Sequence, residues 1–449
     1  MNIRVETTSS NLTNHAGLFQ IGQFFKTSDF GKEINAVSKV RIKKGVPTDR
    51  DVVFCMIALY VISKPTYEAI EEYRYDRYFR EVLGVRRVPS TETLRQRIEH
   101  LPDRVQTVIR RWNGRIIAAG FGDVAACVTK SAQWSETVTV AGKPYVIVDS
   151  DVSVLDNSNS RKEGVSWTYK NCDGYAPMFS YIGKSGYMLN NELREGSAHS
   201  SCAGTVEYFR ETIALARTFA DYPLLMVNDS GNDDQKQLQE FLFNDVFFVT
   251  KRNLRSESVD EWLSYAKKHA EHVRTGRDGA EVYYAQQERV LDFEGISEHV
   301  RIVVVARERL HDAHGQMLLE PTVRVETYWT NLEATATEVE EVYHQHGTSE
   351  QYHAELKSDL GVERLPSGKF HANSLHLLFS MVAFNLLRRI GTQLLLTGKS
   401  PGKRGRRLRL RTVLHSVMYL AGMVVSHAGQ LFLRVCEHNA WTPAFMASL

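Results

Sequence analysis

Residues 145–151 read Tyr-Val-Ile-Val-Asp-Ser-Asp, a β-branched run that ends in carboxylates. An apolar run this short, closed by polar residues, predicts a buried strand. The segments downstream fall into place around it. Residues 176–182 and 187–193 read as two further strands, split by the turn Gly183-Lys184-Ser185-Gly186. A helical stretch over 205–219 follows. Leu224-Leu225-Met226-Val227-Asn228-Asp229 is then a second buried strand ending in an acid. A helix over 233–243 and a strand over 246–250 complete a β-β-β-α-β-α-β order, a mixed α/β fold.

Alternating strands interrupt that order over residues 252–330, and a helical run begins near Thr335 and continues to about Leu360, with a break at Gly347. Upstream, three- and four-residue apolar spacing through Val52, Val53, Phe54, Met56, Ile57 and Tyr60 predicts helices over the first ~130 residues. Ser90-Thr91-Glu92-Thr93 has the form of a capped helix start. The last ~80 residues read as helical, including 375–390 and the apolar stretch after Arg411. The expected organisation is a helical region over 1–135, a catalytic core over 140–370 with a β-rich insertion at 252–330, and a helical region over 371–449.

Composition narrows the class of protein. The 449 residues are 43% hydrophobic and 10% aromatic, enough for a packed core. Five cysteines form no Cys-x-x-Cys pair, which points to reduced thiols and away from a disulfide framework or a zinc site. The chain starts without an apolar signal core. Residues 412–433 carry no formal charge but include His415, Ser416, His427 and Gln430, so a buried bundle helix is expected there rather than a membrane span. A cytoplasmic protein is the expectation. The net charge of +2 says little, but residues 403–411 (Lys-Arg-Gly-Arg-Arg-Leu-Arg-Leu-Arg) are rich in cations and hold no acid. Lys403, Arg404, Arg406 and Arg407 are candidates for DNA-phosphate contacts, with plain solvated surface as the alternative.

Asp151 and Asp229 carry the chemistry. In a sheet built in this order the first and fourth strands are neighbours, so acids at their ends fall close together. Glu350, on the helix after the insertion, would complete a cage of oxygens that suits two Mg²⁺ ions. Against this stands the ordinary role of Asp at a strand end as a turn former, for which Asp229-Ser230-Gly231-Asn232 is well suited. Tyr343, His346, Glu350 and Lys357 share one helix face about 60° wide. A solvated charged face is the alternative, because Glu355 and Asp359 lie on the same helix.

With these motifs in view, the chain resembles the DDE transposases of bacterial insertion sequences that carry a Tyr-Arg-Glu-Lys signature, within DDE transposase group 1. The resemblance rests on residues 148–153 with 162–165, on Asn228-Asp229-Ser230-Gly231-Asn232-Asp233, and on 343–361. The N-terminal segments 12–18 and 90–95 add to it. It implies an RNase H-like catalytic core and a two-metal enzyme, with Asp151, Asp229 and Glu350 as ligands of Mg²⁺ (Mn²⁺ substituting). Tyr343 and Lys357 would contact phosphates of the transposon end. Asp149 rivals Asp151 for the first ligand position; Ser153 after Asp151 fits the family pattern. His346 stands where the signature has Arg, replacing a permanent fork with one neutral donor. An imidazole titrating near 6.5 would make end affinity rise as pH falls from about 8 to 6. The implied partners are double-stranded terminal inverted repeats and target DNA, bound by a homodimer. A nuclease without strand transfer, a silent DNA-binding relative and, more remotely, a paired-carboxylate glycosidase are the competing functions.

Overall fold

The computed structural model of the chain describes residues 3, 5–8, 10–38, 46–128, 135–311, 316–402 and 405–449. The N-terminal region is helical, as its spacing predicts. A short strand, β1 (Asn11–Thr13), leads into α1 (Leu18–Thr27), α2 (Phe30–Val37), α3 (Asp49–Val61), α4 (Arg77–Leu83), α5 (Thr91–Glu99) and α6 (Arg104–Val128). Local chemistry sets the starts. Thr48 and Asp51 cap α3 reciprocally, and the Ser90 hydroxyl accepts from the Thr93 N–H at the start of α5.

Residues 145–151 lie within β2 (Lys143–Val152). After it come β3 (Met178–Ile182), β4 (Tyr187–Glu192), α7 (Thr205–Arg217), β5 (Leu224–Asn228), α8 (Gln235–Phe243) and β6 (Phe247–Lys251). Their order across the sheet is β4-β3-β2-β5-β6. Strands β2, β3 and β4 run antiparallel in sequence, whereas β5 is parallel to β2 and β6 parallel to β5. This is the RNase H-like arrangement, in which the first and fourth strands lie side by side.

The insertion extends that sheet instead of folding apart from it. After α9 (Val259–Lys268), strands β7 (His272–Thr275), β8 (Glu281–Phe293), β9 (Ile296–His311) and β10 (Met317–Thr330) form an antiparallel ladder. Strand β10 pairs antiparallel with β6, so the path runs β7-β8-β9-β10-β6 into the core. The helical run then follows as α10 (Ala336–Gln345), a 3₁₀ turn at His346–Thr348, α11 (Ser349–Ala354) and a π turn at Glu355–Asp359. The break falls at Gly347, as expected from the sequence.

The long helix α12 (Phe370–Leu396) packs against α3, α6 and β4 and is buried over most of its length. Beyond it the expected helix forms only in part. Within residues 412–433 helix reaches only to Met418, through a turn at Leu410–Val413 and a π turn at Leu414–Met418; a hairpin of β11 (Gly422–His427) and β12 (Gln430–Val435) follows, and β1 from the N-terminus pairs with β11. The reason lies in the turn. Ala428 and Gly429 both take positive φ (51° and 76°), the two-residue geometry that matches the twist of a hairpin.

Candidate active site

Parity along the strands decides where the acids point, because successive side chains alternate between faces. On β5, Leu224 and Met226 pack with Phe209 of α7 and Phe241 of α8, whereas Leu225 and Val227 pack with Val339 and Val342 of α10. On β2, Val146 and Val148 join the first cluster, and Tyr145 and Ile147 the second. Asp149 and Asp151 therefore face α10, as does Asp229, which follows Val227 with its backbone still extended. The parallel register sets Asp149 against Val227 and Ser150 against Asn228. One step further on, Asp151 and Asp229 are neighbours at the ends of adjacent strands.

The segment from α10 to the π turn lays its polar face over these acids. Tyr343 Oη donates to Asp229 Oδ1 (2.9 Å), and His346 Nδ1 stands 2.9 Å from the Asp149 carboxylate. His353 Nε2 lies 3.7 Å from Asp151 Oδ2. Lys357 Nζ donates to the carbonyl of Val154. Glu350 shares the face of His346 and His353, at i+4 from one and i−3 from the other, yet its side chain is exposed. No hydrogen bond or ion pair joins it to either aspartate among the described residues. Nor do any three described His, Cys, Asp or Glu side chains stand close enough together to hold a metal ion. Asp151 and Asp229 thus fall at the ends of neighbouring parallel strands, whereas the exposed Glu350 contacts neither of them among the described residues.

Burial and charge set the protonation of the cluster. Burial opposes a charge on His346, but the Asp149 carboxylate outweighs it and raises the imidazole to about 9. Burial alone would also raise Asp151, yet His353 and His346 hold it below the ordinary carboxylate value. Asp149 is pushed up by burial, with His346 opposing. Tyr343 is raised by burial and by Asp229. Sequence reasoning took His346 as neutral near pH 7, and its geometry corrects that. Asp149 is a deep anchor for His346, and Asp151 is the more open of the two acids.

A pH expectation follows. Because the folded imidazole sits near 9 and the unfolded one near 6.5, the His346–Asp149 pair stabilises fully below about 6.5 and loses its effect as pH rises through 9. His346→Gln is expected to cost on the order of 3 kcal/mol at pH 6 and little at pH 10, read by urea unfolding of both proteins. A cost independent of pH would contradict the pairing. Between pH 8 and 6 the imidazole is already charged, so the expected pH-dependent gain in affinity loses its premise.

Two residues of this region escaped the sequence reading. His353 continues the spacing of positions 343, 346, 350 and 357, a signal that was present. Tyr169, whose hydroxyl donates to the Val152 carbonyl (3.0 Å), is raised to about 12 by burial and then by Asp151 and Asp229; nothing in the sequence marked it.

The described arginines of the basic run are mostly paired with acids, although Arg409 and Arg411 stay about half exposed. Arg407 pairs with Glu355 (2.9 Å), while Arg409 and Arg411 hold the buried Asp359 (2.9 and 3.2 Å). Arg406 is exposed beside a small cavity that also meets Asp149, Lys184 and Tyr352. Lys403 and Arg404 lie outside the described residues.

A sheet that sets two aspartates side by side under a Tyr-His-Glu-Lys helix face is the frame on which the sequence match can be read. The family model for transposase DDE domain, group 1, matches the chain over residues 1–449. The chain belongs to that family. The transposase is thus a DDE enzyme of DNA transposition, one that breaks and rejoins phosphodiester bonds, and enzymes of its class work with divalent metal ions. No curated protein matches it in sequence. Among solved structures it is similar to a piggyBac transposase synaptic complex with hairpin DNA, at 12% identity and a TM-score of 0.41, over 92% of this chain and 83% of that one. A likeness at that level adds nothing to the family match.

Proposed function

We propose that the transposase cuts at the ends of a bacterial insertion sequence and joins the freed 3′-hydroxyl to target DNA, using Asp151, Asp229 and Glu350 as ligands of two Mg²⁺ ions. What supports this reading is the parallel pairing of the strands that run into Asp151 and Asp229, together with the Tyr343–Asp229 hydrogen bond and His353 beside Asp151. The donor types suit a hard divalent ion: two carboxylates at adjacent strand ends and a third on the facing helix, whose exposed side chain would have to turn inward to reach them. Bound there, such ions would activate the attacking oxygen and stabilise the leaving one, with Mn²⁺ able to replace Mg²⁺.

The chain's own residues have separate tasks. Tyr343 fixes the Asp229 carboxylate through its hydroxyl, and His346 neutralises the buried Asp149 beneath the site. Lys357 is tied to the Val154 carbonyl, so a transposon-end phosphate that used it would have to displace that bond. Arg406, exposed at the rim, is free to meet the DNA backbone, and Lys403 and Arg404 would extend that contact. The helical region 1–135 would recognise the terminal inverted repeats. Double-stranded DNA is the partner, and a homodimer is the working form, because both ends must be cut together. The cytoplasm is the expected compartment.

The test is a strand-transfer assay with Mg²⁺, purified transposase, and duplexes carrying the inverted repeats that flank its gene. The expected result is cleavage at the repeat followed by covalent joining of the 3′ end to target DNA. Cleavage with no joined product would make it a nuclease, and no cleavage with either metal would overturn the reading.

A further inference from the structure

We infer that Tyr169 is the stacking platform for an unpaired base of the transposon end, the base beside the phosphate that is cut at Asp151 and Asp229. The inference rests on the reading of those acids as the cleavage site. Tyr169 is 57% exposed, and Trp167, two residues earlier, is 61% exposed. Thr168 between them is buried, so both rings lie on the outer side of their segment. Large apolar groups exposed together mark a contact surface.

The local fold holds one of these rings at the acids. Residues 166–174 form a hairpin, with Ser166 paired to Gly174 and Trp167 to Asp173. The Thr168 N–H and hydroxyl both donate to the Cys172 carbonyl (3.0 and 2.9 Å), and Asn171 takes a positive φ of 58° at the tip. From that tip the Tyr169 hydroxyl donates to the carbonyl of Val152, the residue after Asp151 (3.0 Å). The phenol is tethered by its far end next to the site while its ring stays open to solvent. A ring already held in place loses little freedom when a ligand stacks on it.

The neighbours fit a nucleotide. Lys170 Nζ stands 5.9 Å from the Tyr169 ring centroid, the outer limit of a cation–π contact, and its side chain is exposed, so it can turn to a backbone phosphate. Burial and then Lys170 hold Lys357 below its ordinary value, against Glu363 and Asp151, which places both ammonium groups on this side of Asp151. Residues 168–172 hold no acid. An aromatic ring flanked by cations is the pairing that takes single-stranded nucleic acid, because every base has a π-face. Inside a duplex both faces of a base are covered by its neighbours. The ring can therefore take only a base whose pair has opened, a step that a mismatch makes easier.

The test is a gel shift of the full-length protein without divalent metal, on two duplexes that carry the same terminal repeat. One is fully paired, and the other is mismatched at the base pair next to the cleavage point. The parent is expected to bind the mismatched duplex about tenfold more tightly. Tyr169→Leu, which keeps an apolar side chain and removes the ring, should bind both duplexes alike and hold the paired one within about threefold of the parent. In the unmutated complex, 5-iodouracil at the mismatched position should crosslink to Tyr169 on irradiation. A preference that Tyr169→Leu retains, or a crosslink on a different residue, would overturn the platform. Equal binding of the two duplexes by a parent that cleaves the repeat once Mg²⁺ is added would also overturn it and leave the acids in place. A parent that cleaves neither duplex would overturn the underlying site.

Discussion

Glu355→Ala is expected to destabilise the transposase by about 3–5 kcal/mol, the cost of leaving a buried ion without its partner. Glu355 is 2% exposed, and its carboxylate accepts from Arg388, whose side chain is fully buried on α12, and from Arg407 at 2.9 Å. Arg388 also packs over Tyr352 and Phe384, so it has no route to solvent when its partner is removed. Three parts of the chain meet at this carboxylate: the helix that carries Glu350, the core helix α12, and the basic run. Urea unfolding measures the loss. Glu350→Gln is the internal control, since an exposed side chain without an ion pair should change stability by no more than about 0.5 kcal/mol. Equal stabilities for the two variants would mean that the buried network does not hold the catalytic helix in place.

This network shows where sequence reading runs out. Residues 403–411 look like a DNA-binding strip because a list of cations does not say what faces them. Their partners, Glu355 and Asp359, were visible on the catalytic helix but read as part of a solvated face. The π turn over Glu355–Asp359 buries both acids, and neither composition nor spacing foretells such a turn. Strand parity was easier to read. The short apolar runs before Asp151 and Asp229 located both acids, and the β-β-β-α-β order made their strands neighbours. The Gly347 break and the Ser90 cap were equally local. The C-terminal hairpin was not, because its uncharged run suits a buried helix and its Ala428-Gly429 turn lacks the Asn-Gly or Asp-Gly form that would announce it.

The site itself was half legible. Tyr343 and His346 stood out by spacing, but not their present partners, which depend on tertiary distance. Tyr343 is bonded to Asp229 and His346 to Asp149, so in the free protein these side chains organise the acids. His353 lies on the same face but outside the signature positions, so the signature does not single it out.

Strand transfer by Asp151→Asn, Asp229→Asn and Glu350→Gln, each beside the parent in Mg²⁺, tests the central claim most directly. Each change keeps the shape of the side chain and removes one negative charge, so the fold and the contacts to DNA should survive. The account predicts that every one of the three lowers cleavage and joining by at least about a thousandfold, roughly 4 kcal/mol of barrier. Gel-shift affinity for the terminal repeat should stay within about threefold of the parent, because these acids serve the chemistry and not the grip on DNA. If any one of the three keeps near-parental cleavage while bound to the repeat, the three-carboxylate site is wrong at that position.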